Sequence, residues 1–343
     1  MWDYKTLMQI IIPMAGKGKR MRPHTLTTAK PLIPVAGKAI VQRLVEDITR
    51  VCGQKVNEIA FVIGKDFGAD VEANLIKVAE SQGAKGSIYY QEVALGTAHA
   101  IMCAKDAVKG KTVVAFADTL FKADFVMDTE QEGVIWVQKI DDPSQFGVVK
   151  LDAGGHIAEF VEKPKDFISD LAIIGIYYFK DGDYLKSELQ YLLDNNITDK
   201  GEFQLTNALE NMKKKGTKFM PGQVTEWLDC GNKNATVYTN QRVLEFDKGK
   251  TFLKGNNIKN NNSLVIEPCF IGDNVELTNS IVGPHASIGA NTKLTNSIIK
   301  NSIVQSDAKI INANISNSML GIGAEVTGKS IETSASDYTQ IIV

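Results

Sequence analysis

Residues 271–282 read IGDNVELTNSIV and residues 288–299 read IGANTKLTNSII, a repeat offset by 17 positions with eight of twelve residues identical. A weaker third copy runs from Val304 to Ile315, and Ile322-Gly323-Ala324-Glu325-Val326 opens a fourth. The aliphatics Ile271 and Leu277, and again Ile288 and Leu294, stand six apart, with Ile310 continuing the series and small or turn-forming residues between. An α-helix would need apolar residues three and four apart, and glycine, asparagine and proline at this frequency would break one. Short strands joined by tight turns fit the spacing. Three such hexads close into a triangular coil of about 17 residues, and each coil buries its aliphatics by stacking on the next. Phe270 is the only aromatic residue between Leu264 and Gly328, in keeping with a narrow interior.

The segment resembles the left-handed parallel β-helix of hexapeptide-repeat proteins. Just before it, Asn256 to Ser263 (NNIKNNNS) favours turns and offers little to bury, which is the composition of a linker. The expected division is an α/β domain over 1–250, an Asn-rich linker over 251–263, the β-helix over 264–330 and a C-terminal tail over 331–343.

A chain of 343 residues is long enough for two domains. Its 44% hydrophobic and 23% charged residues exclude a disordered chain, and its net charge of -2 lacks the electrostatic footprint of a nucleic-acid binder. No apolar run approaches the ~18 residues of a membrane-spanning helix. Cys52, Cys103, Cys230 and Cys269 lie far apart without a C-x-x-C pair, which argues against a disulfide framework and structural zinc. These features predict a cytoplasmic protein of enzyme size, with no membrane or nucleic-acid partner.

Upstream of the repeat, Met8 to Ile12, Ile59 to Ile63, Ser87 to Gln91 and Thr112 to Ala117 are short apolar runs suited to buried parallel strands. Ile40, Leu44, Val45 and Ile48 share one helical face, as do Val71, Leu75 and Val78. Alternating strands and helices predict a doubly wound, mostly parallel, Rossmann-like sheet, whose ligands gather at the carboxyl ends of the strands.

Directly after the first strand comes Met14-Ala15-Gly16-Lys17-Gly18-Lys19-Arg20-Met21-Arg22-Pro23. Two glycines allow a tight turn that brings backbone N–H groups near an anion, and Lys17, Lys19, Arg20 and Arg22 supply charge. This is phosphate chemistry. It is not the dinucleotide fingerprint, since Met21 stands at the third glycine, and it lacks the Walker A spacing.

Together with Thr28-Ala29-Lys30-Pro31-Leu32-Ile33-Pro34, this stretch closely resembles the signature of the sugar-1-phosphate nucleotidylyltransferases, and the resemblance continues in order to Gly231. Gln91 and Leu95-Gly96-Thr97-Ala98-His99-Ala100 look like that family's base-binding segment. Ala117-Asp118 looks like its metal-binding aspartate at a strand end. Phe146-Gly147-Val148-Val149 and Glu162-Lys163-Pro164 look like its sugar-contacting loop and Glu-Lys-Pro motif. Gly201-Glu202-Phe203-Gln204-Leu205-Thr206 and Trp227-Leu228-Asp229-Cys230-Gly231 complete the series, the last carrying the second metal aspartate. Lys19 stands where the family commonly has a hydroxyl, and Ala117 where it often has glycine.

The resemblance implies that Asp118 and Asp229 hold a Mg²⁺, a cation suited to one or two carboxylates plus phosphate oxygens and water. It further implies nucleotide contacts from Ala15, Gly16, Lys17, Gly18, Arg20, Gln91, Gly96 and Thr97, and sugar-phosphate contacts from Gly147, Glu162, Lys163, Gly175 and Glu202. Arg20, Lys30, Lys163 and Asp118 would be the catalytic set. The substrates implied are a nucleoside triphosphate and a sugar 1-phosphate, with dTTP or UTP and glucose 1-phosphate favoured. Mannose-1-phosphate guanylyltransferase is the alternative within the family, and a silent regulatory subunit the alternative outside it. The repeat also raises an acyltransferase reading, for which His285 is the only histidine available, but packing or subunit association, as in a homo-oligomer, suits about four coils better.

Overall fold

The structure is a computed structural model describing residues 7–328 and 332–342. Met8–Pro13 (MQIIIP) is a strand with every position buried, the pattern of a strand covered on both faces. Val56–Ile63 and Lys111–Ala115 flank it in parallel, and Lys85–Tyr90 extends the block beyond Val56–Ile63. This is the expected parallel sheet. It is only part of the whole, because Leu171–Phe179 pairs antiparallel with Lys111–Ala115 and carries Gly133–Lys139 and Gly147–Leu151 antiparallel on its other side. Ile157–Glu162 adds to Gly147–Leu151, and Phe219–Gln223 to Gly133–Lys139, so the nine-stranded sheet is mixed.

The helical faces are where periodicity put them. Ile40, Leu44, Val45 and Ile48 are fully buried in helix Ile40–Cys52. In helix Ala69–Ser81, Leu75 and Val78 are buried and Val71 is half-buried. Thr97–Cys103, Gly182–Asp194 and Leu205–Lys214 contribute Ala98, Ile101, Leu189 and Leu209 to one core with Ile11, Val62 and Phe179.

The C-terminal repeat forms three parallel ladders, visited in rotation, as a β-helix requires. Leu277, Leu294, Ile310, Val326 and Ile341 stand in register on one ladder. Ile271, Ile288, Val304, Leu320 and Ala335 do so on another, and Val282, Ile299 and Ile315 on the third. The first ladder begins at Lys259–Asn261 and ends at Gln340–Ile342, six strands among the described residues. The stretch expected to be a linker is therefore part of the first coil, and the expected tail contributes strands Ser334–Ala335 and Gln340–Ile342.

Asparagine accounts for the difference. Asn257, Asn262, Asn274, Asn279, Asn291, Asn296, Asn312 and Asn317 all have φ between 49° and 60°, a left-handed conformation asparagine tolerates better than most residues. Their amides form rungs between coils, from Asn257 to Asn274 (3.3 Å) and on to Asn291 (3.1 Å), and from Asn262 to Asn279 (2.9 Å) and on to Asn296 (3.3 Å). An asparagine-rich string thus reads locally as turn and, once stacked, as a corner.

The chain forms two compact units, residues up to 16 with 44–227, and 17–43 with 228 onward. The division does not fall at residue 250. Side chains on helix Lys233–Asp247 hold 17–43 and the coils in one unit: Asp247 accepts from Arg43 Nη1 (2.9 Å), and Asn240 Oδ1 accepts from Ala36 N (2.9 Å) and Ser287 Oγ (2.7 Å). The Phe270 ring fills the space beside Gly37, where a Cβ would lie 2.2 Å from it.

Candidate active site

The expected site residues are distributed over both units. In the first, Ala15 and Gly16 follow strand Met8–Pro13 directly, and Gly16 has nothing within 4 Å of where a Cβ would point. Asp118 lies in the turn between strands Lys111–Ala115 and Thr119–Lys122, three residues past the end of the first rather than on it.

Gln91 follows strand Lys85–Tyr90, its backbone N–H donating to Ile63 O (2.9 Å). Its amide Nε2 reaches Gly96 O (3.3 Å) and His99 Nδ1 (3.0 Å), while burial holds the His99 imidazole below its ordinary pKa, in the neutral form. Gly96 has φ 113°, and a Cβ there would stand 2.4 Å from Phe203 O; only glycine satisfies both conditions. The close approach lets Ala98 N donate to Phe203 O (2.9 Å) and Phe203 N to Leu95 O (2.8 Å). Thr97 Oγ1 donates to Gln204 Oε1 (3.1 Å) and accepts from Leu205 N (2.8 Å), and Gln204 Nε2 donates to Glu202 Oε2 (3.0 Å). Two sequence motifs more than a hundred residues apart are thereby joined, one expected at the nucleotide and the other at the sugar.

A second group gathers at the antiparallel extension. Glu162 ends strand Ile157–Glu162 opposite Gly147 at the start of Gly147–Leu151. A Cβ on Gly147 would lie 3.1 Å from Glu162 Oε2, and Thr206 Oγ1 is 3.5 Å from the same oxygen. Lys163 Nζ stands 3.2 Å from Glu162 Oε1. Gly175, at φ 86°, sits where the pairing of Leu171–Phe179 with Gly133–Lys139 shifts register, and its carbonyl accepts from Phe116 N (2.9 Å); a bulge of this kind turns a strand locally. Trp227 packs edge-on against Phe146, ring centroids 4.8 Å apart, as a packing residue beside the Phe146-Gly147 loop.

Tyr177 belongs to this neighbourhood and was not foreseen. Burial, and then the negative charges of Glu162 and Asp118, push its phenol pKa upward, which puts a protonated hydroxyl near both carboxylates. It reads in sequence as one more apolar position of a strand, and no local signal marks it.

In the second unit, Lys19–Met21 and Lys30–Leu32 are short 3₁₀ turns rather than the start of a long helix. Lys17, Lys19 and Arg20 are exposed, and Lys30 is half-buried. Thr25 Oγ1 donates to Gly18 O (2.8 Å), and the Gly18 Cα faces Thr25 Cγ2 and Lys30 Cβ, at 2.9 and 3.1 Å from where a Cβ would lie. Asp229 ends strand Glu226–Asp229, with Oδ1 accepting from Gly231 N (2.9 Å). The Asp229 carboxylate and Arg20 Nη2 both approach the same face of Gly231, within 2.9 and 3.3 Å of where its Cβ would be. A carboxylate and a guanidinium side by side beside bare backbone can receive a metal-bound phosphate chain.

Among the described residues, no three or more histidine, cysteine, aspartate or glutamate side chains are gathered so as to hold a metal ion by themselves. Asp118 in the first unit and Asp229 in the second each offer a carboxylate, the ligand type Mg²⁺ takes beside water and phosphate oxygens. His285, the acyltransferase candidate, instead pairs with Glu245 of helix Lys233–Asp247. Among the described helices none is long and apolar enough to cross a membrane, and all four cysteines are free thiols.

Residues 9–245 match the family described as Nucleotidyl transferase, and the chain belongs to that family. Among curated relatives, it is 29% identical over 264 residues to "Bifunctional protein GlmU" of Methanococcus maripaludis, spanning 76% of this chain and 60% of that protein. It is 30% identical to "Low-salt glycan biosynthesis nucleotidyltransferase Agl11" of Haloferax volcanii (69% and 66%), and 27% to glucose-1-phosphate thymidylyltransferase of Streptomyces antibioticus (69% and 67%). The chain thus spans about 60% of the length of the first of these relatives. A Bacillus anthracis structure assigned as a glucose-1-phosphate thymidylyltransferase, in complex with sucrose, superposes with a TM-score of 0.58 at 26% identity, covering 68% of this chain and 94% of that one. A UDP-glucose pyrophosphorylase complexed with UDP-glucose shares the fold, with a TM-score of 0.57 at 21% identity over 70% of this chain and 99% of that one.

Proposed function

We propose that the protein transfers a nucleotidyl group from a nucleoside triphosphate to a sugar 1-phosphate, with Mg²⁺, releasing pyrophosphate. We read dTTP or UTP and glucose 1-phosphate as the preferred pair. The observation that carries the reading is the grouping of Glu162, Lys163, Gly147 and Thr206: a hydroxyl-accepting carboxylate, a phosphate-binding ammonium and bare backbone on one small surface. The thymidylyltransferase relative supports the choice of substrates.

In this reaction a phosphate oxygen of the sugar 1-phosphate attacks the α-phosphorus, the new P–O bond forms, and the bond to the β-phosphate breaks. That oxygen is already ionised at neutral pH, so no general base is required. Lys163 holds the attacking phosphate and Glu162 accepts from sugar hydroxyls, with Gly147, Gly175 and Glu202 completing the sugar side. Gln91, its Nε2 engaged by Gly96 O and His99 Nδ1, offers its Oε1 as an acceptor to the base edge, beside Gly96 and Thr97. Arg20 clamps the departing β,γ-phosphates and Lys30 draws charge from the α-phosphate, assisted by the backbone of Ala15 to Gly18 and by Lys17. Mg²⁺, assigned to Asp118 and Asp229, would offset the repulsion between the two polyanions.

A panel of triphosphates against sugar 1-phosphates, read as pyrophosphate release, tests the reading. Highest turnover is expected with dTTP or UTP and glucose 1-phosphate; GTP with mannose 1-phosphate would redirect the assignment, and no release with any pair would sink it. We also read the β-helix as an association element of a cytoplasmic homo-oligomer, and light scattering that returned a monomer mass would overturn that part.

A further inference from the structure

The last coil of the β-helix hydrogen-bonds the segment around His24 to Thr28. Asp337 occupies the same corner as Asp273, whose Oδ1 accepts from the backbone N–H of Asn256 (2.6 Å) and the Asn256 amide (3.2 Å), both in the preceding coil. Asp337 Oδ1 likewise accepts from Ile322 N (2.8 Å) one coil back. Its second oxygen does something else: Oδ2 accepts from Thr28 Oγ1 (3.2 Å) and from Thr27 Oγ1. Three residues earlier, Ser334 Oγ and His24 Nε2 share a hydrogen bond of 2.6 Å. Lys233, which follows Asp229 by four residues, donates to Asn317 O (2.7 Å) and Glu332 Oε1 (3.0 Å) in the same end coils.

The residues held this way flank the phosphate-binding groups. Thr27 and Thr28 immediately precede Ala29-Lys30, and His24 is followed by Thr25, whose hydroxyl fastens Gly18 two residues before Arg20. His24 is completely buried, and burial pushes its pKa down to about 4, so the bond to Ser334 is made by a neutral ring. A carboxylate accepting two hydroxyls is a stiffer tie than a water-exposed turn can make alone.

We propose that the last coil is a clasp for the phosphate-binding loop, with Asp337 and Ser334 as positioning residues that set Arg20 and Lys30 for the triphosphate. The kinetic part of this inference rests on the nucleotidyl transfer proposed above. The clasp itself is a statement about the loop and is measurable without turnover.

The experiment compares the full chain with Asp337→Ala and with the isosteric pair Thr27→Val and Thr28→Val. Hydrogen–deuterium exchange over 17–35 is expected to speed up roughly tenfold in both, as loss of charge-assisted bonds would produce. KM for the triphosphate should rise by about the same factor while KM for the sugar 1-phosphate stays put, and combining all three substitutions should add little. Unchanged loop exchange, or a fall in kcat alone with both KM values intact, would overturn the clasp. If Asp337→Ala does not fold, the threonine pair, which leaves the coil untouched, decides by the same two readouts. If the unaltered protein releases no pyrophosphate with any substrate pair, the functional reading fails, and loop exchange alone upholds or overturns the clasp.

Discussion

Lys163 Nζ lies 3.2 Å from Glu162 Oε1, although the two residues are neighbours in the chain. Adjacent residues of a regular strand point to opposite faces. Lys163 escapes that rule because it follows the end of strand Ile157–Glu162 with φ 42°, and its backbone N–H donates to Phe146 O (3.2 Å). The turn brings ammonium and carboxylate onto one side, where the proposed sugar phosphate would use one group for its anion and the other for its hydroxyls. Lys163→Ala should therefore lower kcat/KM for the sugar 1-phosphate roughly a hundredfold while triphosphate affinity is retained. Steady-state kinetics varying each substrate in turn would show it, and an equal loss for both substrates would remove Lys163 from the sugar side.

Asp118→Asn preserves shape and removes charge. Turnover is expected to drop by at least about a hundredfold at saturating Mg²⁺, since a neutral amide is a poor ligand for a hard cation. The circular dichroism spectrum and melting temperature should hardly move. Chelation with EDTA should abolish turnover in the unaltered protein, with recovery on adding Mg²⁺; persistence of activity in either case contradicts the assignment.

The asparagine corners invite a stability test. Asn279 has φ 49°, accepts from Asn262 Nδ2 at 2.9 Å and donates to Asn296 Oδ1 at 3.3 Å. Replacing it with alanine removes both rungs and leaves a Cβ in the left-handed region, a penalty of roughly 1–2 kcal/mol for the backbone alone. Asn279→Gly loses the rungs without that strain. Alanine should thus cost about 1 kcal/mol more than glycine in chemical denaturation, and the reverse order would deny the left-handed corner.

Buried His24 predicts a pH dependence. In the folded chain its pKa is pushed down to about 4 by burial, opposed by the charge of Asp337 and aided by that of Lys233, whereas the unfolded value is near 6.5. Between these values the unfolded chain binds a proton that the folded chain does not, so stability rises with pH across the window and is complete above it. Lowering the pH from about 6.5 to 4 should cost on the order of 2 kcal/mol through this group. Urea titrations of His24→Gln over the same range should show a correspondingly shallower slope.

Much of this architecture was legible in the residues. The 17-residue offset of IGDNVELTNSIV and IGANTKLTNSII announces stacked coils, and burial of Leu277 and Leu294 in register realises it. MQIIIP reads as a buried central strand and is one. What misled was local chemistry with two meanings. Asparagine satisfies a loop or a left-handed corner equally well, so Asn256 to Ser263 gave no sign of belonging to the first coil. The antiparallel extension was equally silent, because a strand's partners are chosen at a distance.

The amino-acid order alone determined the kind of elements, the repeat and the ordered series of charged and glycine-rich motifs from Gly16 to Gly231, for these depend on spacing and residue chemistry along the chain. Only the tertiary structure decided which residues became neighbours: Thr97 with Gln204, Tyr177 with the charges of Glu162 and Asp118, and Asp337 with Thr27 and Thr28 some 310 positions away. Hydrogen bonds and charge act over a few ångströms. Sequence distance carries no record of that proximity until sheet, helix and coil have packed.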